Sequence, residues 1–260
     1  MDNSRFHQEV IHLEELAMNA FPAIITEVYD GWLLRYSNGY TYRGNSVNPI
    51  YKSKYDIDKK IDLCEEKYFK KGLPCVFKMT ALVDESLDEK LAIRGYKIKK
   101  EANIMEMPLD NKTFNKSSIV TITNNLTEEW LNEFVILNGT ENEPMKSTAK
   151  EILRNIINET ISASIYVDNK MIACGLGVVE DKQLGLFDIR VLEEYRLKGY
   201  GKAICESILA EGIEKGAKTS YLQVMSTNTI AINMYTKLGY NKLYTYWYRV
   251  KNINNNQCFD

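Results

Sequence analysis

The sequence predicts a mixed α/β protein built on a largely antiparallel, twisted sheet flanked by helices. Three observations predict it. Helical and strand periodicities alternate along the chain, tight Asp/Asn/Gly turns join successive strands, and one order of elements recurs at a fixed offset.

Taken in order, residues 4–19 read as a helix, with Phe6, Val10, Leu13 and Leu16 on one side. A strand-rich region follows at about 24–51, where Asp30-Gly31 and Asn38-Gly39 have the composition of hairpin turns. A charged helix at about 56–71 is closed by Gly72 and Pro74. "CVFKM" is a short strand, 86–94 a helix, and "YKIKKEANIMEM" one or two strands. The polar, aperiodic stretch 109–118 reads as a linker, so the expected domains are 1–112 and 119–260. Beyond it come helices at 127–137 and about 147–159, then strands "ASIYVD", "MIACGLGVVE" and "QLGLFDIRV". Asp168-Asn169 and Asp181-Lys182 supply the turns between those strands. A glycine loop, a helix to 215, strand "SYLQVM", helix 229–238 and the aromatic strand "KLYTYWYRV" complete the chain.

The recurrence is specific. "KKGLPCVFKM" followed by "LDEKLAIRGYKI" is echoed by "EKGAKTSYLQVM" followed by "AINMYTKLGYNK". Gly72 and Gly216 stand 144 residues apart (216 − 72), as do Gly95 and Gly239 (239 − 95). The pattern predicts a tandem duplication. At the same offset the glycine loop falls on "YKSKYDI", which has no glycine, so the first copy is expected to have lost that loop's function.

Composition excludes several classes of function. With 33 basic and 35 acidic side chains, net charge −2, there is no broad basic field for nucleic acid or an anionic membrane. Five scattered cysteines without a CxxC pair argue for reduced thiols rather than a disulfide framework or a zinc site. The two histidines, His7 and His12, lie near the N-terminus, which leaves little material for a histidine metal site or triad. No apolar signal core or bilayer-length apolar run is present, so a cytoplasmic protein without a metal is expected.

The loop "YRLKGYGK" follows an apolar strand and opens a helix. Such a turn gathers the helix's first unbonded N–H groups at its positive end. Gly199 and Gly201 lack Cβ atoms, so an anion can approach the backbone, and Arg196, Lys198 and Lys202 add charge. The physical reading is a phosphate cradle. Arg196 stands where a Walker loop needs its first glycine, and Ala203 replaces that loop's hydroxyl. Ile204 occupies the third small position of a dinucleotide fingerprint, and no acidic residue closes the next strand.

The spacing that fits is R-x-x-G-x-G, from Arg196 through Gly199 to Gly201. Downstream, "NTIAINMYTKLGY" supplies Asn228, Ala231, Tyr235, Gly239 and Tyr240 in an N-x-x-A-x-x-x-Y-x-x-x-G-[FY] pattern. Here the chain resembles the GNAT superfamily of acyl-CoA-dependent N-acyltransferases. The resemblance covers about 120–251, and the first half joins it only through its echo, in the manner of tandem members with one degenerate copy.

The resemblance implies an acyl-CoA N-acyltransferase fold and an enzyme that moves acetyl from acetyl-CoA to a primary amine by direct attack in a ternary complex. It also implies that the backbone of Ile189 and Val191 pairs with the pantetheine arm, while the amides of Leu197, Lys198, Gly199, Tyr200, Gly201 and Lys202 hold the diphosphate. Asn228 is implied to contact the same arm, although its residue type and place equally suit a helix N-cap. Tyr235 is the implied general acid for the departing thiolate; a packing tyrosine is its alternative. Asp188 is the nearest candidate base if strand alternation turns it toward the acceptor, whereas a salt bridge to Arg190 would make it structural. Glu180 and Glu143 are weaker candidates.

Outside the motifs, the last strand's tyrosines suit either an acceptor pocket or a sheet face. Arg35, Arg43 and Asn45 suit a lid or a solvated strand. A small-molecule or peptide amine is the expected partner, without nucleic acid or membrane, and an oligomer is compatible. A non-catalytic acyl-CoA or metabolite-binding module is the competing reading.

Overall fold

The computed structural model describes residues 3–140 and 142–253. Its elements run α1 (Asn3–Asn19), β1 (Ile25–Tyr29), β2 (Trp32–Tyr36), β3 (Val47–Pro49), α2 (Ile57–Lys70), β4 (Cys75–Met79), α3 (Glu85–Ile93) and β5 (Lys97–Pro108). There follow β6 (Thr121–Thr123), α4 (Glu128–Leu137), α5 (Glu143–Arg154), β7 (Glu159–Val167), β8 (Lys170–Glu180) and β9 (Gln183–Val191). A 3₁₀ turn at Glu193–Tyr195, α6 (Tyr200–Glu214), β10 (Thr219–Met225), α7 (Thr229–Leu238) and β11 (Asn241–Lys251) complete it. The expected mixed α/β class is observed. No helix among the described residues is long and apolar enough to cross a membrane.

The recurrence read from the sequence reappears in the elements. β4 and β10, α3 and α7, and β5 and β11 begin at Cys75 and Thr219, Glu85 and Thr229, Lys97 and Asn241, each pair 144 residues apart (219 − 75, 229 − 85, 241 − 97). The N-cap side chains correspond too. Asp84 accepts from the amide of Ser86 and Asn228 from that of Ala231. Strands β1-β2-β3-β4 and β7-β8-β9-β10 also share one pattern, two antiparallel pairings and then a parallel one.

The chain divides into two compact units, one holding the described residues up to Asn103 and from Tyr244 onward, the other Ile104–Leu243. In the first, the strand order is β1-β2-β3-β4-β11, and the end of β11 pairs antiparallel with β4 from Trp247↔Met79 to Lys251↔Cys75. Its core packs Trp32, Phe77 and Tyr96 edge to face, closed by Tyr68 and Leu91. Asp88 of α3 accepts from Arg249 at 2.9 and 2.6 Å, fastening the last strand. In the second unit the order is β10-β9-β8-β7-β6. α6 lies close on β8 because Gly175 and Gly177 leave room: a Cβ there would stand 2.5 Å from Ile204 Cγ2 and 2.6 Å from Ile208 Cγ2.

Several expectations need adjustment. Asp30-Gly31 turns β1 into β2, but Asn38-Gly39 begins a ladder-free connection. The Asn45 carboxamide holds that connection by accepting from the amides of Ser37 and Gly39 and donating to Thr41 O. Local side-chain bonds thus replace the expected strand pairing. Arg35 is buried and donates to the carbonyls of Arg43 and Phe21, so Arg35 and Asn45 are braces and not solvated strand residues. α5 starts at Glu143 because Asn142 caps it, accepting from Met145 N at 2.9 Å, with Pro144 in the first turn. It ends at Arg154, short of the expected 159, and Ile157 beyond it is 97% exposed. The polar stretch 109–118 is tied to α6: Lys116 reaches Glu211 and Glu214, and Ser117 N donates to Ser207 Oγ at 3.0 Å. β6 and the 3₁₀ turn, three residues each, are too short to leave a periodicity in the sequence.

Candidate functional site

The site begins where two parallel strands part. β9 and β10 pair from Gln183↔Thr219 to Leu186↔Leu222, and the ladder stops there although the strands continue to Val191 and Met225. Beyond Leu186 the register pairs neither Ile189 nor Val191 with β10 among the described residues. A strand edge that stays open inside a sheet is a place for another extended chain.

A bulge accompanies the parting. Against β8, Leu176 pairs Phe187 and Cys174 pairs Arg190, so β9 carries one extra residue there. Asp188 sits within it at φ 50°. The extra residue changes which side chains face α6. Leu184 packs beneath Gly212 of α6; beyond the bulge, Ile189 meets Gly175 beside Ile204, and Val191 lies beside Gly201. The apolar phase thus slips from Leu184 and Leu186 to Ile189 and Val191. That slip, a spacing of three in "LFDI", is the signal that would have revealed the bulge in the sequence. Simple alternation across Asp188 does not hold, so period two does not set the direction of its carboxylate. Asp188 is half-buried, and its carbonyl faces the Cys174 thiol at 3.7 Å.

Next comes the loop. Leu197 at φ 62° and Gly199 at φ 87° are both left-handed, and α6 starts directly afterward. Leucine rarely adopts this backbone, and Leu197 is 85% exposed, so neither propensity nor burial accounts for it. The first helical bond is Ala203 N to Gly199 O at 3.0 Å. The amides of Tyr200, Gly201 and Lys202 make no such bond, as in any first helical turn, and no side chain caps them. α2, α3, α4, α5 and α7 each carry a side-chain cap, which α6 lacks. Of the loop's cations, Arg196 donates from Nε to Val191 O at 3.2 Å, and Lys202 pairs with Glu206 at 3.4 Å. Lys198 lies over the Tyr195 ring at 5.2 Å.

Asn228 is exposed and caps α7, its Oδ1 accepting from Ala231 N at 3.1 Å. Its cap role is therefore present; the carboxamide nitrogen is left for another partner. Tyr235 faces inward from α7 and is 7% exposed. Burial, with the Cys205 thiol beside it, raises its pKa well above the ordinary phenol value, against a smaller opposing pull from Arg190. The phenol thus keeps its proton at neutral pH. The hydroxyls of Tyr36 and Tyr248 are buried without a partner, and the Tyr235 oxygen is not among such groups. Burial pushes the Cys205 thiol up to about 12 and raises Cys174 further, so neither is a thiolate at neutral pH.

An open strand edge, a left-handed loop and an uncapped helix start meet in one unit, and they suit a ligand with an extended polar arm and a phosphate tail. Comparison with known proteins assigns this architecture. Residues 8–249 match the model of the family described as "Probable histone acetyltransferase Rv0428c C-terminal". The chain belongs to that family and, with it, to the GNAT superfamily of N-acetyltransferases. It is 28% identical over 252 residues to the uncharacterized N-acetyltransferase YobR of Bacillus subtilis, covering 94% of this chain and 99% of the relative. Against the [ribosomal protein bS18]-alanine N-acetyltransferase of Escherichia coli it is 33% identical over 75 residues, 29% of this chain and 51% of that enzyme. Among solved structures, a GCN5-related N-acetyltransferase from Kribbella flavida superimposes with TM-score 0.67 at 12% identity, covering 93% of this chain and 95% of that one. A tandem GNAT protein from the clavulanic acid biosynthesis pathway gives 0.63 at 8% identity, over 98% and 97%. These similarities agree on the fold, and the family match makes the protein an acyltransferase.

Proposed function

We propose that the chain transfers an acetyl group from acetyl-CoA to a primary amine, the two substrates meeting in a ternary complex. Residues 119–260 carry the chemistry in this reading, and 1–112 form a degenerate copy of the same fold. The observation that carries it is the early end of the β9–β10 ladder, beside a helix start whose amides have no cap.

The residues present fit acetyl-CoA. Backbone groups of Ile189 and Val191 on the open edge would pair with the pantetheine arm, and Asn228 would reach it with its free nitrogen. The amides from Leu197 to Lys202 would take the diphosphate, with Arg196, Lys198 and Lys202 adding charge around them. Hydrogen bonds to a charged group contribute about 1.5–3 kcal/mol each, so a few such amides anchor the tail. When bound, the thioester supplies the activated acetyl group. Tyr235 then holds a proton at its phenol oxygen and delivers it to the departing sulfur. Asp188, on the strand that forms the open edge, would be the carboxylate that takes the amine's proton. Direct attack is favoured over a cysteine acyl-enzyme because burial keeps Cys174 and Cys205 protonated. The bS18 relative, named for acetylating an alanine, is an acyltransferase of an amine, which supports the acceptor class.

The test is release of free thiol from acetyl-CoA across a panel of small amines and peptides. Tyr235→Phe should slow turnover about 10²–10⁴-fold while leaving acetyl-CoA affinity nearly intact. Binding without turnover by any amine would favour the non-catalytic module. Absence of CoA binding would remove the transferase reading of the site.

A further inference from the structure

The first repeat has its own loop-and-helix start in the place where the second keeps its amides open, and there the amides are taken by the chain itself. The Asp30 carboxylate, reaching across from the β1–β2 turn, accepts from Lys54 N at 3.0 Å, Tyr55 N at 2.9 Å and Ser53 Oγ at 2.6 Å. The Lys60 ammonium, whose side chain is 0% exposed, meets the same carboxylate at 3.1 Å and donates to Ser53 Oγ at 2.6 Å. At the helix start, the N-cap Asp56 accepts from Lys59 N at 3.1 Å. Lys54 and Tyr55 are 24 and 25 positions from Asp30 in the chain, so this is no local Asx turn.

The arrangement has the parts of a phosphate site: convergent loop amides, a hydroxyl, a helix start and a buried cation. Asp30 is placed to fill it. Gly31 lets its turn approach, since a Cβ there would stand 2.6 Å from the carbonyl oxygens of Tyr51 and Lys52, and Gly31 O accepts from Tyr51 N at 3.0 Å. Lys60 lies 3.9 Å over the Trp32 ring, which holds the cation in position beneath the carboxylate. Judged by helix position rather than by the 144-residue offset, Gly199 stands one residue before α6 as Asp56 stands one before α2, and it offers no side chain.

We infer that the first repeat retains an anion nest for a phosphate or diphosphate group, and that Asp30 occupies it as an internal surrogate. The inference rests on the proposal that the second repeat's matching loop holds a diphosphate. It explains how a loop without glycine keeps its shape: the anion that organises it is covalently part of the fold. It also sets the stoichiometry, one coenzyme per chain, with the first repeat's nest closed from within. The carboxylate's low pKa, driven first by Ser53 and then by the Tyr55 amide, agrees with a group held as an anion.

The test uses the full chain and inorganic pyrophosphate, followed through the backbone amide resonances. Asp30 lies at φ 43°, which glycine tolerates, so Asp30→Gly empties the nest without straining the turn. The expected result is a saturable shift of the Lys54 and Tyr55 amides in Asp30→Gly, absent in the native chain and lost again in Asp30→Gly/Lys60→Met. A folded Asp30→Gly chain whose two amides ignore pyrophosphate overturns the inference, as does a native chain that responds as strongly. Should Asp30→Gly fail to fold, rescue of its fold by pyrophosphate supports the inference. If there is no rescue, Asp30→Ser decides, because its side chain is too short to fill the nest: a saturable shift of the two amides supports the inference, and a folded Asp30→Ser chain without response overturns it. The amides of Leu197–Lys202 report on the second repeat in the same spectra, so failure of either nest is read separately.

Discussion

Tyr235 and Tyr240 stand edge to face, ring centroids 5.9 Å apart at 71°, and the Tyr240 amide donates to the Tyr235 carbonyl at 3.0 Å. Between them Gly239 turns left-handed at φ 109°, ending α7 and starting β11. The Tyr240 hydroxyl is in turn 2.5 Å from Ser220 Oγ on β10, which donates to Leu184 O on β9 at 2.8 Å. The proposed acid is thus located by a buried chain of contacts that reaches both strands of the open ladder.

Breaking that chain should loosen the site as well as the fold. Ser220→Ala leaves the buried Tyr240 hydroxyl short of a partner, a cost of about 1–3 kcal/mol. At about 2–4 °C per kcal/mol for a protein of this size, thermal denaturation should show a fall of several degrees. Turnover should fall in the folded variant as well, because Tyr240 sets the position of Tyr235.

Asn228 separates its two roles by substitution. Asp is an equally good N-cap but has no donor nitrogen. Asn228→Asp should therefore keep the native Tm while weakening acetyl-CoA binding. Asn228→Ala should lose about 1 kcal/mol of stability as well. Calorimetric titration alongside melting curves distinguishes them.

Gly199 tests the loop. An alanine at φ 87° carries strain of about 1–2 kcal/mol. The loop should relieve it by moving its amides, with a loss of about 5–30-fold in acetyl-CoA affinity. An unchanged dissociation constant would show that loop shape does not govern binding.

Alkaline pH offers a further check. Burial raises the pKa of Tyr68, Tyr235, Tyr240, Tyr246 and Tyr248 above the ordinary phenol value. The unfolded chain releases protons near pH ~10 that the folded chain keeps, so stability is complete below that pH and declines above it. Tm should fall from about pH 10 upward, and the ionisation of these buried phenols should add a further rise in tyrosinate absorbance at the unfolding transition. For the same reason kcat should show no Tyr235 titration below pH ~10.

Much of this architecture was legible in the residues. Gly72, Gly95, Gly216 and Gly239 end helices, and all four are left-handed as such ends require. The Gly199 and Gly201 loop announced an uncapped helix start, and Asn228 announced a cap, because both signals lie within one turn of the element they control. The bulge at Asp188 was encoded in the spacing of Leu186 and Ile189, but a lone slip has the same look as an ordinary irregularity until the partner strand is known. Arg35 and Asn45 read as exposed because their type is usually exposed; their carbonyl and amide partners come from turns that the sequence does not place beside them.

By itself, then, the chain determined its helices, most of its strands, the repeat at 144 residues and the two motifs of the site, since each depends on contacts within a few positions or on periodic burial. Tertiary structure alone decided where the β9–β10 ladder stops, which face Ile189 and Val191 turn to α6, and that Asp30 closes the first repeat's nest. Those outcomes rest on pairings between residues far apart in sequence, whose geometry is set by packing rather than by any local preference.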